Sequence, residues 1–176
     1  MLNVVLFEPE IPGNTGNIMR TCVATHTHLH LIKPLGFSLD EKSIKRSGVN
    51  YIDNCHYTVY ENWDDFLNHN EGKMYFFTRY GHKPHSDFSY KEEKENIYLV
   101  FGKESTGIPR NILKPHLDTC ARIPMTDKVR ALNLSNSVAI VLYEVLRQQN
   151  YRDLLWEEPH KGNHFIEDYE GDENAL

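Results

Sequence analysis

No run of about 18 apolar residues occurs in the chain, which excludes a membrane-spanning helix. The start, "MLNVVLFEPE", lacks a basic n-region and turns acidic at Glu8, so a secretory signal is not expected. Cysteine is scarce. Cys22, Cys55 and Cys120 lie far apart and form no CxxC pair, which argues against a disulfide framework or a zinc site and for a reducing cytoplasm. The ten histidines are scattered; "HTHLH" at 26–30 alternates as a strand does, and no metal is expected there. Excess positive charge is missing too, since the chain carries a net −6.

That deficit is local. Residues 157–176 hold seven acids against Lys161 alone, whereas residues 1–156 hold 18 acids and 18 bases. The tail "EEPHKGNHFIEDYEGDENAL" is short of aliphatics, so the expected organisation is a folded domain over 1–156 followed by an acidic, flexible tail over 157–176. One domain of this size buries roughly 70% of the surface that its unfolded chain exposes. A local basic face therefore remains compatible with the overall charge.

What is present alternates. "LNVVLFE" reads as a strand buried on both faces, and "TGNIMRTCVATH" as a helix capped by Asn14 or Thr15. "HLHLIKP" is strand-like and "DEKSIKRSG" a short polar helix. Strand "CHYTVY", helix "NWDDFLNH", strand "KMYFFTR" and strand "NIYLVFG" follow. Pro109 opens a short helix, "CARIPM" is a last strand, and 133–149 form the longest helix, apolar nearly all round. This alternation predicts an α/β fold on a mostly parallel sheet flanked by helices. Ligands of such sheets sit outside the carboxyl ends of the strands.

Three unusual loops fall at that end: "EPEIPGNTGN", "GKESTG" and "TDKVRALNLSN". "GKESTG" has the residues of a phosphate loop in the wrong order, because its lysine follows the first glycine. Gly102 and Gly107 instead suit close backbone approach to a flat ligand, with Glu104 accepting hydrogen bonds or orienting a loop. In the opening loop Asn14, Gly16 and Asn17 suit a turn with positive φ, and Arg20 is either solvated or aimed at a ligand. Asn133, Ser135, Asn136 and Ser137 exceed what one helix cap needs, so some of them face a ligand or a second subunit.

"N-x-x-G-N-x-x-R", "FG-x-E-x-x-G-[IL]-P" and "IPM…LNLSN", in this order and spacing up to about residue 156, resemble the SPOUT class of RNA methyltransferases. Within it, the chain is similar to the family that 2′-O-methylates the wobble nucleotide, a cytidine or modified uridine at position 34, of certain leucine tRNAs. The resemblance implies a deep carboxy-terminal trefoil knot, a homodimer, and an S-adenosylmethionine pocket built from the knotted loops. Carried over by position, Phe77, Gly102, Glu104, Ile123, Ala131 and Leu132 line the cofactor pocket. Ala131 departs from the serine frequent in the family. Arg20 is the implied catalytic residue, and Asn17, Arg20, Lys45, Arg46, Ser135 and Asn136 the implied RNA-binding set, joined by Lys83, Lys103 and Arg130 as further phosphate contacts. The partner is the anticodon loop of tRNA, with no metal required.

A ribose hydroxyl is a poor nucleophile until its proton leaves, so a protein must hold it in line with the methyl donor and assist deprotonation. Arginine is effectively always protonated, which favours phosphate binding and alkoxide stabilisation over proton abstraction as the role of Arg20. Two other readings stand beside this one: 2′-O-methylation of a different tRNA or ribosomal ribose, and a non-catalytic RNA-binding module on the same knotted fold.

Overall fold

The run of apolar side chains after Met1 forms strand β1 (Leu2–Phe7), and its alternating residues point to opposite faces. Val4 and Leu6 enter one apolar cluster, Val5 and Phe7 the other. The structure, a computed structural model, describes residues 1–39, 54–91 and 95–168. The helix expected at "DEKSIKRSG", with Lys45 and Arg46, lies outside the described residues.

Helix α1 (Pro12–Ala24) follows, then β2 (His28–Ile32), β3 (Tyr57–Tyr60), α2 (Trp63–His69), β4 (Lys73–Phe77), the two-residue β5 (Lys83–Pro84) and β6 (Ile97–Phe101). Helix α3 (Arg110–Leu113) runs through a 3-10 turn (Lys114–Thr119) into β7 (Cys120–Arg122), and α4 (Leu134–Gln148) closes the series. All pairings within the sheet are parallel, in the order β3-β2-β1-β6-β4-β7-β5. The expected α/β architecture is thus observed, with β5 as an addition too short to show in the sequence pattern.

Helices α1 and α4 cover one face of the sheet. Ile18, Met19 and Cys22 of α1 and Val138, Val141, Leu142 and Val145 of α4 pack on Leu29, Leu31, Leu99 and Phe101. The other face is covered by Phe66 of α2 and Ile112 and Leu113 of α3, against Phe76, Tyr98 and Val100. Each such side chain contributes about 1.5–3 kcal/mol on burial, which outweighs any single polar contact in setting the fold. His30 is buried in the middle of β2, between Tyr60 Oη at 2.9 Å and Asn3 Oδ1 at 3.1 Å.

Two details position the site. β7 lies between β4 and β5, which are consecutive in the chain, so the β4–β5 connection must pass over the end of β7. Gly81 in that connection lies so close to β7 that a Cβ there would sit 2.4 Å from the Ala121 carbonyl carbon. The second detail corrects an expectation. α4 is not apolar all round: Asn136, Ile140, Tyr143 and Arg147, at helical spacing, form an exposed face.

Candidate active site

The three unusual loops meet at the carboxyl end of the sheet, and one carboxylate joins them. Glu104 Oε2 accepts from the Glu10 backbone N–H at 2.8 Å, and its Oε1 accepts from Ile11 N–H at 3.3 Å and Asn14 Nδ2 at 2.9 Å. Asn14 in turn accepts from Asn133 Nδ2 at 2.9 Å. Asn133 caps α4, its Oδ1 taking the Ser135 N–H and Oγ–H at 2.9 and 2.7 Å and the Asn136 N–H at 3.3 Å. One continuous hydrogen-bonded chain therefore runs from the loop after β6, through the start of α1, to the start of α4.

Reciprocal contacts reinforce it. The Glu10 carboxylate accepts from Ser105 N–H at 2.9 Å and Ser105 Oγ–H at 2.8 Å, and these bonds hold its carboxyl below the usual range. Lys103 Nζ pairs with Glu8 at 2.7 Å, an attachment that raises the ammonium's pKa. Glu8 has a left-handed φ of 49°, a conformation costly for a residue with a side chain, and its N–H is fixed to Ile32 O at 3.0 Å. Behind this loop, Gly36 N–H bonds Pro9 O at 2.9 Å, and a Cβ on Gly36 would come within 2.6 Å of Glu10 O.

Several local expectations change here. Helix α1 begins at Pro12, with Ile11 as its cap residue and no side-chain capping bond. The side chain of Asn14 is drawn away to Glu104 and Asn133, where it satisfies charged and amide partners from other loops. The positive φ in this loop belongs to Glu8, while Asn14, Gly16 and Asn17 lie within the helix. Gly102 packs tightly on its own hairpin, since a Cβ there would meet Gly107 C at 2.2 Å and Ile108 N at 2.3 Å. Gly107, at φ +76° and with nothing within 4 Å of a built Cβ, is the glycine that leaves open space.

Of the expected cofactor residues, Phe77 ends β4 and stacks on Phe101 at 4.9 Å between ring centroids. Ile123, just past β7, is half-buried against the core, and Ala131 and Leu132 are exposed just before α4. Residues 123–132 run outside the strands and helices, with a turn at 127–128. Irregular backbone beside apolar Ile123 and Leu132 suits an adenosyl group recognised through main chain and apolar contact. The carboxylate of Glu104 is engaged by the opening loop.

Asn17 and Arg20 are exposed, three residues apart on one side of α1. Arg20 lies eight residues after Pro12, about 12 Å along the helix. Ser135 gives its hydroxyl to Asn133, while Asn136 is exposed. Lys103 is occupied by Glu8; Lys83 lies over the Phe88 ring, 5.7 Å from its centroid, and Arg130 is exposed. Sequence reasoning missed Glu8, Glu10 and Ser105 as members of the site, left Asn14 as a turn or cap residue, and placed Asn133 only within a polar group at the start of α4. Two acids two apart facing a Lys-x-Ser two apart was the available signal.

Parallel sheet, interlocked loops at its carboxyl end and a β7 inserted between consecutive strands define a SpoU-type methyltransferase architecture. Residues 1–143 match the SpoU rRNA Methylase family, and the chain belongs to that family. A Bacillus subtilis (strain 168) protein, provisionally named a tRNA (cytidine(34)-2′-O)-methyltransferase, is 50% identical over 154 residues, covering 87% of this chain and 96% of the relative. A solved Bacillus anthracis protein, provisionally an RNA methyltransferase, is 51% identical with a TM-score of 0.84, covering 88% of this chain and 98% of its own. A third, solved in work described as "Structural insights into the 2-OH methylation of C/U34 on tRNA", is 36% identical with a TM-score of 0.79, covering 86% and 98%.

Proposed function

We propose that the protein is an S-adenosylmethionine-dependent tRNA 2′-O-methyltransferase acting on the ribose of the wobble nucleotide, cytidine or modified uridine 34, of leucine tRNAs in the cytoplasm. The observation that carries this reading is the hydrogen-bonded chain Glu104–Asn14–Asn133, which holds together the three loops where donor and ribose would meet. The names of the relatives support the ribose of nucleotide 34 of tRNA as the target. The bound cofactor would supply an activated methyl group on a sulfonium. Phe77, Gly102, Ile123, Ala131 and Leu132 hold it through main-chain groups and apolar surface, and Glu104 keeps the opening loop in register with that pocket. Ala131 serves through its backbone.

Arg20 grips a phosphate beside the target ribose and stabilises the developing alkoxide. Asn17 and Asn136 orient the ribose, Ser135 acts through the cap, and Lys45, Arg46 and Arg130 add phosphate contacts. The domain ends near residue 156, ahead of the acidic tail. A carboxy-terminal trefoil knot is supported by the insertion of β7 between β4 and β5, which sends the β4–β5 connection over the end of β7. A homodimer is supported by the exposed apolar Ile140 and Tyr143 on α4, beside α1 with its outward Arg20. Since Arg20 sits about two helical turns from the opening loop, a second copy would bring it to the neighbouring cofactor.

Transfer of labelled methyl from S-adenosylmethionine to total tRNA, followed by mapping of the modified nucleotide, tests the reading. The label is expected on the 2′-oxygen of nucleotide 34. Label on a base, or no transfer to any tRNA, overturns it.

A further inference from the structure

The turn joining β4 to β5 carries two exposed residues that neither apolar cluster uses and that no role above absorbs. Arg79 lays its guanidinium over the Tyr80 ring, 4.7 Å from the centroid, and its Nη2 donates to Tyr80 Oη at 2.5 Å. Tyr80 is 58% exposed. A guanidinium over one face of a ring leaves the opposite face open to a second flat group.

The turn that presents the pair is firmly anchored. Thr78 N–H bonds Ala121 O at 2.9 Å, Gly81 N–H bonds Thr78 O at 3.1 Å, and Tyr80 N–H bonds Thr78 Oγ1 at 3.3 Å. Gly81 is buried against Ala121 and Arg122. The turn starts directly after Phe77 and rests on the strand that leads into Ile123, so the pair stands on the rim of the proposed cofactor pocket.

We propose that Arg79 and Tyr80 form a stacking platform for an unpaired base of the RNA substrate, next to the nucleotide that is methylated. The proposal rests on the tRNA reading above and specifies how the loop is held. Single-stranded RNA loops are recognised by splayed bases stacked on aromatic rings and arginine planes. Stacking of this kind tolerates any base and pairs well with a cation near the phosphates. An anchored turn suits the task because the ordering cost is already met in the free protein. It also suits a chain with no overall positive charge, because stacking does not depend on net charge.

The test uses the full chain and a synthetic leucine-tRNA anticodon stem-loop with 2-aminopurine beside the target nucleotide. Tyr80→Ala is expected to raise the RNA Kd and KM by roughly 5- to 150-fold, the loss of one base–aromatic stack. It should abolish the 2-aminopurine quench on binding and leave kcat within about twofold. Tyr80→Phe should retain affinity and quench, and the Kd for S-adenosylmethionine should be unchanged in both variants. An unchanged RNA Kd in Tyr80→Ala overturns the platform while leaving the tRNA reading intact. A raised cofactor Kd, or a changed molecular mass by light scattering, at unchanged RNA affinity overturns it in favour of a cofactor or subunit contact. Failure of the wild-type chain to bind the stem-loop sinks both the platform and the tRNA reading.

Discussion

Glu104 shows what one side chain decides in this molecule. Its carboxylate takes two backbone donors and one amide from a segment some ninety residues away. Hydrogen bonds to a charged group contribute about 1.5–3 kcal/mol each, and a donor left unpaired adds its own penalty. Glu104→Gln keeps the shape but turns one acceptor into an NH₂ that faces donors. It is expected to cost about 2 kcal/mol in urea unfolding. Methyl transfer should fall at least tenfold at saturating cofactor, because the opening loop is released from the pocket; full activity would show that the loop is held by other means. His30, at the opposite end of the polarity range, is held neutral: burial, and to a lesser degree neighbouring His28, pushes its pKa down to about 3. In that state Nε2–H donates to Asn3 Oδ1 and Nδ1 accepts from Tyr60 Oη, whose oxygen also receives Asn70 Nδ2 at 3.1 Å. Between about pH 3 and 6.5 the unfolded chain binds a proton there and the folded chain does not. The contribution is complete above 6.5 and is lost as pH falls. Stability should drop by about 2 kcal/mol between pH 7.5 and 5 through this group. Urea titrations across that range, with His30→Gln flattening the slope, check it.

At the scale of elements, the sheet was legible because its strands are short apolar runs bounded by turn residues. Val4–Phe7 and Ile97–Phe101 could be assigned from composition alone, since both faces of each strand are buried. Helix starts were less legible. Nothing local says that Asn14 forgoes capping; its partners, Glu104 and Asn133, are remote in sequence and meet only after the sheet has formed. The exposed face of α4 was missed for a related reason, because Ile140 and Tyr143 look like core residues in a pattern that cannot tell a solvent face from a subunit contact. β5, with two residues, has no periodicity to read, yet its place beyond β7 fixes the connection that crowds Gly81 onto Ala121. Motif residues marked the three loops correctly as a group. The charged contacts that bind the loops together came only with the geometry.

For the whole molecule, the decisive question is whether one chain suffices. Arg20 is exposed on α1, about 12 Å along the helix from the opening loop, and the adjacent face of α4 exposes Ile140 and Tyr143. Two-fold pairing of these faces would set each arginine against its partner's pocket, since an isologous interface repeats every contact twice. Complementation tests this. Arg20→Ala leaves a pocket without its arginine. Gly102→Val leaves an arginine without its pocket, because any Cβ at 102 falls 2.2 Å from Gly107 C. Each variant alone should be nearly inactive. In an equal mixture of co-refolded chains about half of the dimers are mixed, each with one intact shared site, so roughly a quarter of wild-type transfer should return. Native mass spectrometry would count the mixed dimers directly. If they form and no activity returns, both groups act within a single chain, and Arg20 must serve its own pocket from the side of α1.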